Sequence, residues 1–496
     1  MTMKKIVVLG GGTAGWMTVS LLHHAWASKG FQFAVVESAN VPTIGVGEGS
    51  TPALKQFFDK LGIAESEWMP ACAATYKCGI RFANWAGRAG YDSYFHPFTS
   101  TLDNNVLGYF HHHINARRQG HNSYRAPDDY FLANVLAEQH QAPKESESFP
   151  FEQSYGYHFD AAALGHFLKQ RAIRQGVEHI EADVEQVQLT TQGDIRQLVT
   201  HNHNAIEADF FVDCSGFKSL LLQGTLQVPF VSYANALFND AAVTLPTQST
   251  DFLPSLTTST AMTNGWRWHI PLTNRVGNGY VYSSQYCNSD DAEFELRQQL
   301  GLLDSAIEAK HLKMKVGRVA EHWRRNCLAV GLSQGFIEPL EATALMLVQY
   351  TVENFILAFE KGNFTDTNRN QFNSNINAQF DGIRDYIVAH YKTSGRKDSQ
   401  YWRDNGQNDQ LSDSLRYVFQ SWMQGKDFSE ALRKQGIDRF YSDVSWMCLL
   451  TGMGVLPPLA AGESTIQVEQ DRRWIAEFLR RSSLNFPDHR TYLTAQ

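Results

Sequence analysis

Cysteine is scarce in this chain: six residues in 496, with no Cys-x-x-Cys pair. That excludes a disulfide framework or a cysteine-based zinc site and points to reduced thiols. Positive charge is also in short supply. Lysine and arginine number 43 against 51 acids, for a net charge of −8, and the basic pairs Arg117-Arg118 and Arg324-Arg325 are isolated. Nucleic acid is therefore not an expected partner. No apolar run reaches the roughly 18 to 20 residues of a membrane-spanning helix. The opening MTMKKIVVLG enters a strand-like run without a cleavage site, which sets a cytoplasmic expectation with no membrane partner. Internal repeats and low-complexity segments are missing too. His111-His112-His113 has no neighbouring cysteine and no HExxH spacing, so no metal is expected and the tract reads as polar surface or lid.

What is present begins with bulk: 43% hydrophobic residues over this length build a large core in two to four structural units. The first local signal is KIVVL (5–9), a buried-strand pattern running into Gly10-Gly11-Gly12-Thr13-Ala14-Gly15. A helical stretch follows to about Ser28, and FQFAVVES makes a second strand ending near Glu37. This is a dinucleotide fingerprint in a βαβ context. Gly10 permits the tight turn, Gly12 lets backbone approach a pyrophosphate, and Gly15 lets helix and strand pack closely. Glu37 can accept from ribose hydroxyls.

The next strip, VPTIGVGEGSTPAL, departs from a plain dehydrogenase, and Val46, Gly47 and Glu48 could lie along a flavin. ADFFVDCSGF (208–217) and NCLAVGLSQGF (326–336) each lead a short apolar strand to glycine, as a large α/β flavoprotein does when its chain returns to the cofactor. No second glycine fingerprint for a nicotinamide appears, so reduced flavin must come from elsewhere or the nicotinamide binds transiently.

YKCGIRFANW (76–85), YFHPFTS (94–100), GWRWHIPL (265–272), GGGTAGW and TIGVGE together resemble the flavin-dependent tryptophan halogenase family, to about residue 350. The resemblance implies a two-component enzyme. A separate reductase supplies reduced FAD, and FAD, oxygen and halide generate hypohalous acid. That acid moves through the protein to a lysine beside an aromatic substrate. Lys77 stands at the lysine position, flanked by Tyr76 and Cys78-Gly79-Ile80; it could donate a hydrogen bond to the acid or form a haloamine. The resemblance puts His96 and Phe98 at the ring-stacking positions, with Pro97 between them on the substrate side, and it places Trp266 and Trp268 between flavin and substrate, where they could keep the substrate from the flavin.

FIEPLEATALMLVQ (336–349) places two acids before an apolar run. Pro339 can start a helix whose apolar face is Leu345, Val348, Val352, Phe355, Ile356 and Phe359, which puts Glu341 in the first turn. The resemblance gives the N–H groups of Thr343 and Ala344 to halide and turns Glu341 toward the substrate, to take up positive charge or the ring proton. Glu338 reads as a local cap. Where the family has serine and glycine this chain has Ala342 and Ala344, so a differently shaped halide pocket is expected, with bromide ahead of chloride. Leu332 stands where related flavoproteins carry an aspartate to the ribityl chain, leaving it a backbone or packing contact.

From about residue 350 the pattern is helical, with breaks near Gly362-Asn363, Gly395, Gly425 and Gly436. RFYSDVSWMCLLTGMG carries no constellation matching the family's grip on an amino acid's charged end. A neutral aromatic such as indole fits better than free tryptophan, with Trp446 as a pocket wall. The expected fold class is α/β: an FAD-binding Rossmann-type box of the flavin monooxygenase kind with a mainly helical C-terminal substrate layer. Its segments are 1–95 (βαβ and flavin strip), 96–154 (insertion and lid, with 141–153 a loop), 155–350 (return to the box) and 351–496 (helical layer). A homodimer is admissible. An aromatic hydroxylase and a non-catalytic FAD-binding protein stay open as alternatives.

Overall fold

The structure is a computed structural model that describes residues 5–41, 47–123, 126–202, 204–459 and 466–495. The chain divides into two units. One comprises 1–74, 159–234 and 314–381, and the other 75–158, 235–313 and 382–496. Residues 75–95 and 235–313, expected from sequence in the flavin box, fall in the second unit. The reason is strand pairing: Thr257–Met262 runs parallel to Gly79–Ala83, and this joins both segments in one sheet.

The first unit is built on the expected βαβ element. Strand Lys5–Leu9 lies between Gln32–Glu37 and Phe210–Asp213, parallel to both, and Cys327–Ala329 and Glu178–Glu181 extend the sheet on either side. Every residue from Ile6 to Leu9 is buried, which is why this run is continuously apolar and does not alternate. Helix Thr13–Trp26 packs against helices Ala161–Arg174 and Ala344–Lys361. The last is pinned by rings: Phe355 and Phe359 stack at 5.0 Å, and Trp323 meets them edge-on at 5.0 and 5.5 Å.

The second unit is organised by a seven-stranded sheet in which Ala241–Thr247, Val276–Tyr282, Gly265–Pro271 and Thr257–Met262 pair antiparallel in turn. Strands Gly79–Ala83 and Ser93–Pro97 form its far edge. Separately, Thr75–Lys77 pairs antiparallel with Gly156–Asp160, matching Thr75 to His158 and Lys77 to Gly156. Residues 143–155 form no helix or strand, as the 141–153 loop expectation required. The C-terminal part is helical, and its helices end at Lys361, Thr393, Met423 and Gln435, beside the glycines read as breaks. Among the described residues no helix is long and apolar enough to cross a membrane.

Candidate active site

The first unit carries the nucleotide cradle. The turn after Leu9 is tied to both neighbouring strands, Gly10 N–H donating to Val36 O and Cys214 N–H to Leu9 O, each at 2.8 Å. Gly10 has φ +118°, and a Cβ there would lie 2.2 Å from Cys214 O; a Cβ on Gly15 would lie 1.9 Å from Gly10 O. Gly12 is different in kind: a Cβ would meet nothing within 4 Å, at φ −74°. It is also the N-cap of helix Thr13–Trp26 and supplies no side-chain cap. The helix therefore begins beside open space at Gly12, with its dipole directed there, a fit for a pyrophosphate.

Thr13 is occupied otherwise, donating to Ala161 O at 2.8 Å and fixing the helix start. Ala14 approaches the Gly331 turn, where a Cβ would lie 2.8 Å from its own Cβ. Glu37 closes the second strand with Lys169 Nζ at 2.6 Å and His179 Nε2 at 2.9 Å on one carboxylate oxygen. Replacing Gly12 with valine is expected to leave the melting temperature essentially unchanged while weakening FAD binding at least about tenfold. Flavin fluorescence titration beside a thermal melt checks both halves, and a parallel fall in both would refute the open-cradle account.

Gly47 and Glu48 lie on the short strand Gly47–Gly49, while Val46 lies outside the described residues. Burial, then the charge of Asp160, pushes the half-buried Glu48 carboxyl up to about 7. Leu332 sits half-buried in the Gly331–Ser333 turn. An anchor missed by sequence reading lies beside these strands: buried Asp213 accepts from Ser215 Oγ at 2.6 Å and from the N–H groups of Leu221 and Leu222 at 2.8 Å each. An acid ending an apolar strand before Cys-Ser-Gly was its only signal.

Glu341 does not stand in the first turn of an α-helix. Pro339–Glu341 is a single 3-10 turn ended by Ala342 at φ +56°, and the helix starts afresh at Ala344 with Thr343 as N-cap. The left-handed residue breaks helical continuity, so Thr343 and Ala344, not Glu341, stand at the helix entrance. Glu341 and Glu338 are both buried, and Glu338 makes no side-chain cap. The helix buries Leu347, Gln349 and Thr351 beside Val348, Val352, Phe355 and Phe359; Leu345 and Ile356 are only half-buried.

The second unit carries Lys77, which is 0% exposed. Its Nζ lies 5.4 Å from the centroid of the half-buried Phe98 ring. His96 and Pro97 are buried on the strand before it. Tyr386, unmarked in the sequence reading, gathers an aromatic cluster. It stacks on Tyr441 at 3.6 Å and 7°, and stands 4.8 Å from Trp446 and 5.9 Å from His96. Trp266 and Trp268 share one face of strand Gly265–Pro271, both buried, with ring centroids 6.2 Å apart. Trp268 fits because its cross-strand partner is Gly279, where a Cβ would lie 2.1 Å from the indole.

The histidine tract divides: His112 is exposed, as a surface tract requires, whereas its two neighbours are engaged within the second unit. His113 is buried between Tyr130 Oη at 2.8 Å and Asp471 at 3.1 Å, and His111 pairs with Asp443 at 3.1 Å. Successive residues of helix Leu107–Arg118 point about 100° apart, so a contiguous run cannot share one environment. No group of three metal-ligating side chains occurs among the described residues.

Residues 5–464 match the tryptophan halogenase family. The 7-chloro-L-tryptophan 6-halogenase KtzR of Kutzneria sp. (strain 744) is 37% identical, over 98% of each chain. The solved tryptophan 6-halogenase SttH of Streptomyces toxytricini superposes with a TM-score of 0.86 at 33% identity, covering 99% of this chain and 100% of that one. Xcc4156, a flavin-dependent halogenase from Xanthomonas campestris, superposes at 0.88 with 30% identity, covering 100% of this chain and 98% of that one.

Proposed function

The chain belongs to the tryptophan halogenase family, and from that premise we propose that it halogenates a neutral, electron-rich aromatic, indole or an indole derivative, with bromide ahead of chloride. As a member of the family it is an FADH2-dependent halogenase that needs a separate flavin reductase. When bound, reduced FAD supplies the electrons with which oxygen oxidises halide to hypohalous acid. Gly10, Gly12, Thr13, Ala14, Gly15 and Glu37 would hold the dinucleotide, with Gly47, Glu48 and Leu332 along its length.

This chain's own residues then divide the work. The N–H groups of Thr343 and Ala344 bind halide at the positive end of their helix. Lys77 donates a hydrogen bond to the oxygen of hypohalous acid and so polarises the oxygen–halogen bond. The ring carbon takes the halogen as the oxygen–halogen bond breaks, the hydroxide takes a proton from Lys77 and leaves as water, and Glu341 accepts the ring proton, whose return recharges the lysine. His96, Phe98 and Trp446 bind the ring, and Trp266 and Trp268 keep it from the flavin.

The observation that carries this reading is Lys77, wholly buried against the Phe98 ring: an ammonium is held away from water only at a cost of several kcal/mol. The neutral substrate rests on commitment of the nearby acids. Asp385, next to Tyr386, is held by Arg384 at 2.8 Å and Ser412 at 2.6 Å. Asp443, three residues before Trp446, accepts from His111 at 3.1 Å and also from Ser429. An amino acid's ammonium would have to displace one of these pairs.

The test supplies the purified protein with FAD, a flavin reductase, NADH, oxygen and bromide or chloride, and offers indole, tryptophan and phenols. Mass spectrometry is expected to find monohalogenated indole, with kcat/KM at least about tenfold above that for tryptophan. Hydroxylated product independent of halide would replace halogenation with hydroxylation. Bound FAD without turnover on any ring would favour a non-catalytic flavoprotein.

A further inference from the structure

His158 stands on the strand that pairs with Lys77's own. It lies directly opposite Thr75, and side chains two apart on a strand share a face, so Thr75, Lys77 and His158 lie on one side of the pair. All three are buried. The imidazole is gripped at both nitrogens, by Thr75 Oγ1 on Nδ1 at 3.0 Å and Thr257 Oγ1 on Nε2 at 2.9 Å.

The hydroxyl protons decide the tautomer. Thr75 Oγ1 donates its one proton to Pro271 O at 2.7 Å, so toward His158 it can only accept. Nδ1 therefore carries the ring hydrogen. A neutral ring then leaves Nε2 bare, to accept from the Thr257 hydroxyl. On the other side of the strand His489 is fixed the same way: Tyr76 N–H can only donate, and it points at His489 Nε2 at 3.0 Å, while His489 Nδ1 donates to Leu253 O at 2.9 Å. The groups whose charge bears on His158 are Lys77 beside it, His489 and His269; burial and all three hold it in the neutral form.

We propose that His158 is a positioning residue for Lys77: a neutral imidazole, locked as the Nδ1–H tautomer by Thr75 and Thr257, that flanks the ammonium without pairing with it. The reasoning rests on Lys77 being the residue that holds hypohalous acid. A carboxylate in the same place would take the ammonium's hydrogens for an ion pair. An imidazolium would favour the uncharged amine. With both nitrogens spent on threonines, the neutral ring neither takes a hydrogen from the ammonium nor favours the uncharged amine.

Histidine-labelled protein, with the His158 signal assigned by its loss in His158→Asn, is expected to show the Nδ1–H nitrogen pattern unchanged between pH 8 and pH 6. An Nε2–H pattern, or titration in that range, overturns the proposal. His158→Asn stays uncharged and can still donate to Thr75 from the Nδ1 position, so it is expected to keep kcat within about threefold, whereas His158→Asp, of the same size as that variant, should lose about a hundredfold in kcat with KM little changed. Equal losses in Asn and Asp would mean a packing role only. Lys77→Met in the same assay separates the two readings: full activity there removes the catalytic lysine, while lost activity there with active His158→Asp removes only the positioning role. Should His158→Asp fail to fold, the nitrogen pattern still decides.

Discussion

Lys77→Met is expected to abolish halogenation, with kcat falling by about 10² to 10⁴ and FAD affinity unchanged. This is the range general acid and hydrogen-bond donors contribute when positioned at the reacting atoms. Methionine keeps an unbranched apolar stem and removes the charged donor. Since the side chain is wholly buried, exchanging an ammonium for a thioether is expected to hold or raise the melting temperature. Loss of activity with retained stability is the signature of a residue kept for chemistry. The measurement pairs product formation with a trap for free hypohalous acid. Continued release of acid without ring halogenation places the defect after halide oxidation, as the proposed role requires. Wild-type product yield from Lys77→Met, once the trap has removed free acid, would end that role.

His489→Gln is expected to change how stability depends on acid by about 2 kcal/mol, roughly thirtyfold in the folding equilibrium. Burial, ahead of its other neighbours, lowers the His489 ring from the usual 6.5 to about 4. Between those values the unfolded chain binds the extra proton and the folded one does not, so stability falls as pH falls through that window. Protonation would also put a hydrogen where Tyr76 N–H donates. Glutamine can still offer Tyr76 N–H an acceptor at the reach of Nε2, without titrating. Between pH 7 and pH 5 the wild type should therefore lose about 2 kcal/mol more than His489→Gln.

A difference between proteins is the right quantity because other groups work against it. Glu48 at about 7 and Asp103 at about 6 have values raised chiefly by burial, so the folded state binds their protons more tightly and stability falls as pH rises across the same range. His322, lowered to about 3 by burial, adds to the acid penalty in the first unit. These contributions cancel between wild type and variant. Urea midpoints at the two pH values give the result, and parallel curves for the two proteins would contradict the buried neutral ring.

What could be read from residues alone was local or carried by motif. KIVVL, Gly10-Gly12-Gly15 and Glu37 state a strand, a turn, a helix start and a second strand within 33 residues, and each is governed by near-neighbour sterics and burial; the structure has all four. The helix ends beside Gly362, Gly395, Gly425 and Gly436 were legible for the same reason, since helix termination is a property of a few consecutive residues. Trp266 and Trp268 had to share a face once their segment was a strand.

Tertiary structure decided the rest. Nothing near Lys77 in sequence says that it is wholly buried, or that the histidine receiving Tyr76 N–H comes from 413 residues away. Tyr386 joins His96 to Trp446 only because three separate segments meet there. Ala342 takes a left-handed conformation that its side chain does not ask for, and this moves the helix entrance from Pro339 to Thr343. Sequence fixes conformational preferences over a turn or a strand, whereas burial and the partner of each polar atom depend on contacts between distant segments, which a single chain read in order does not contain.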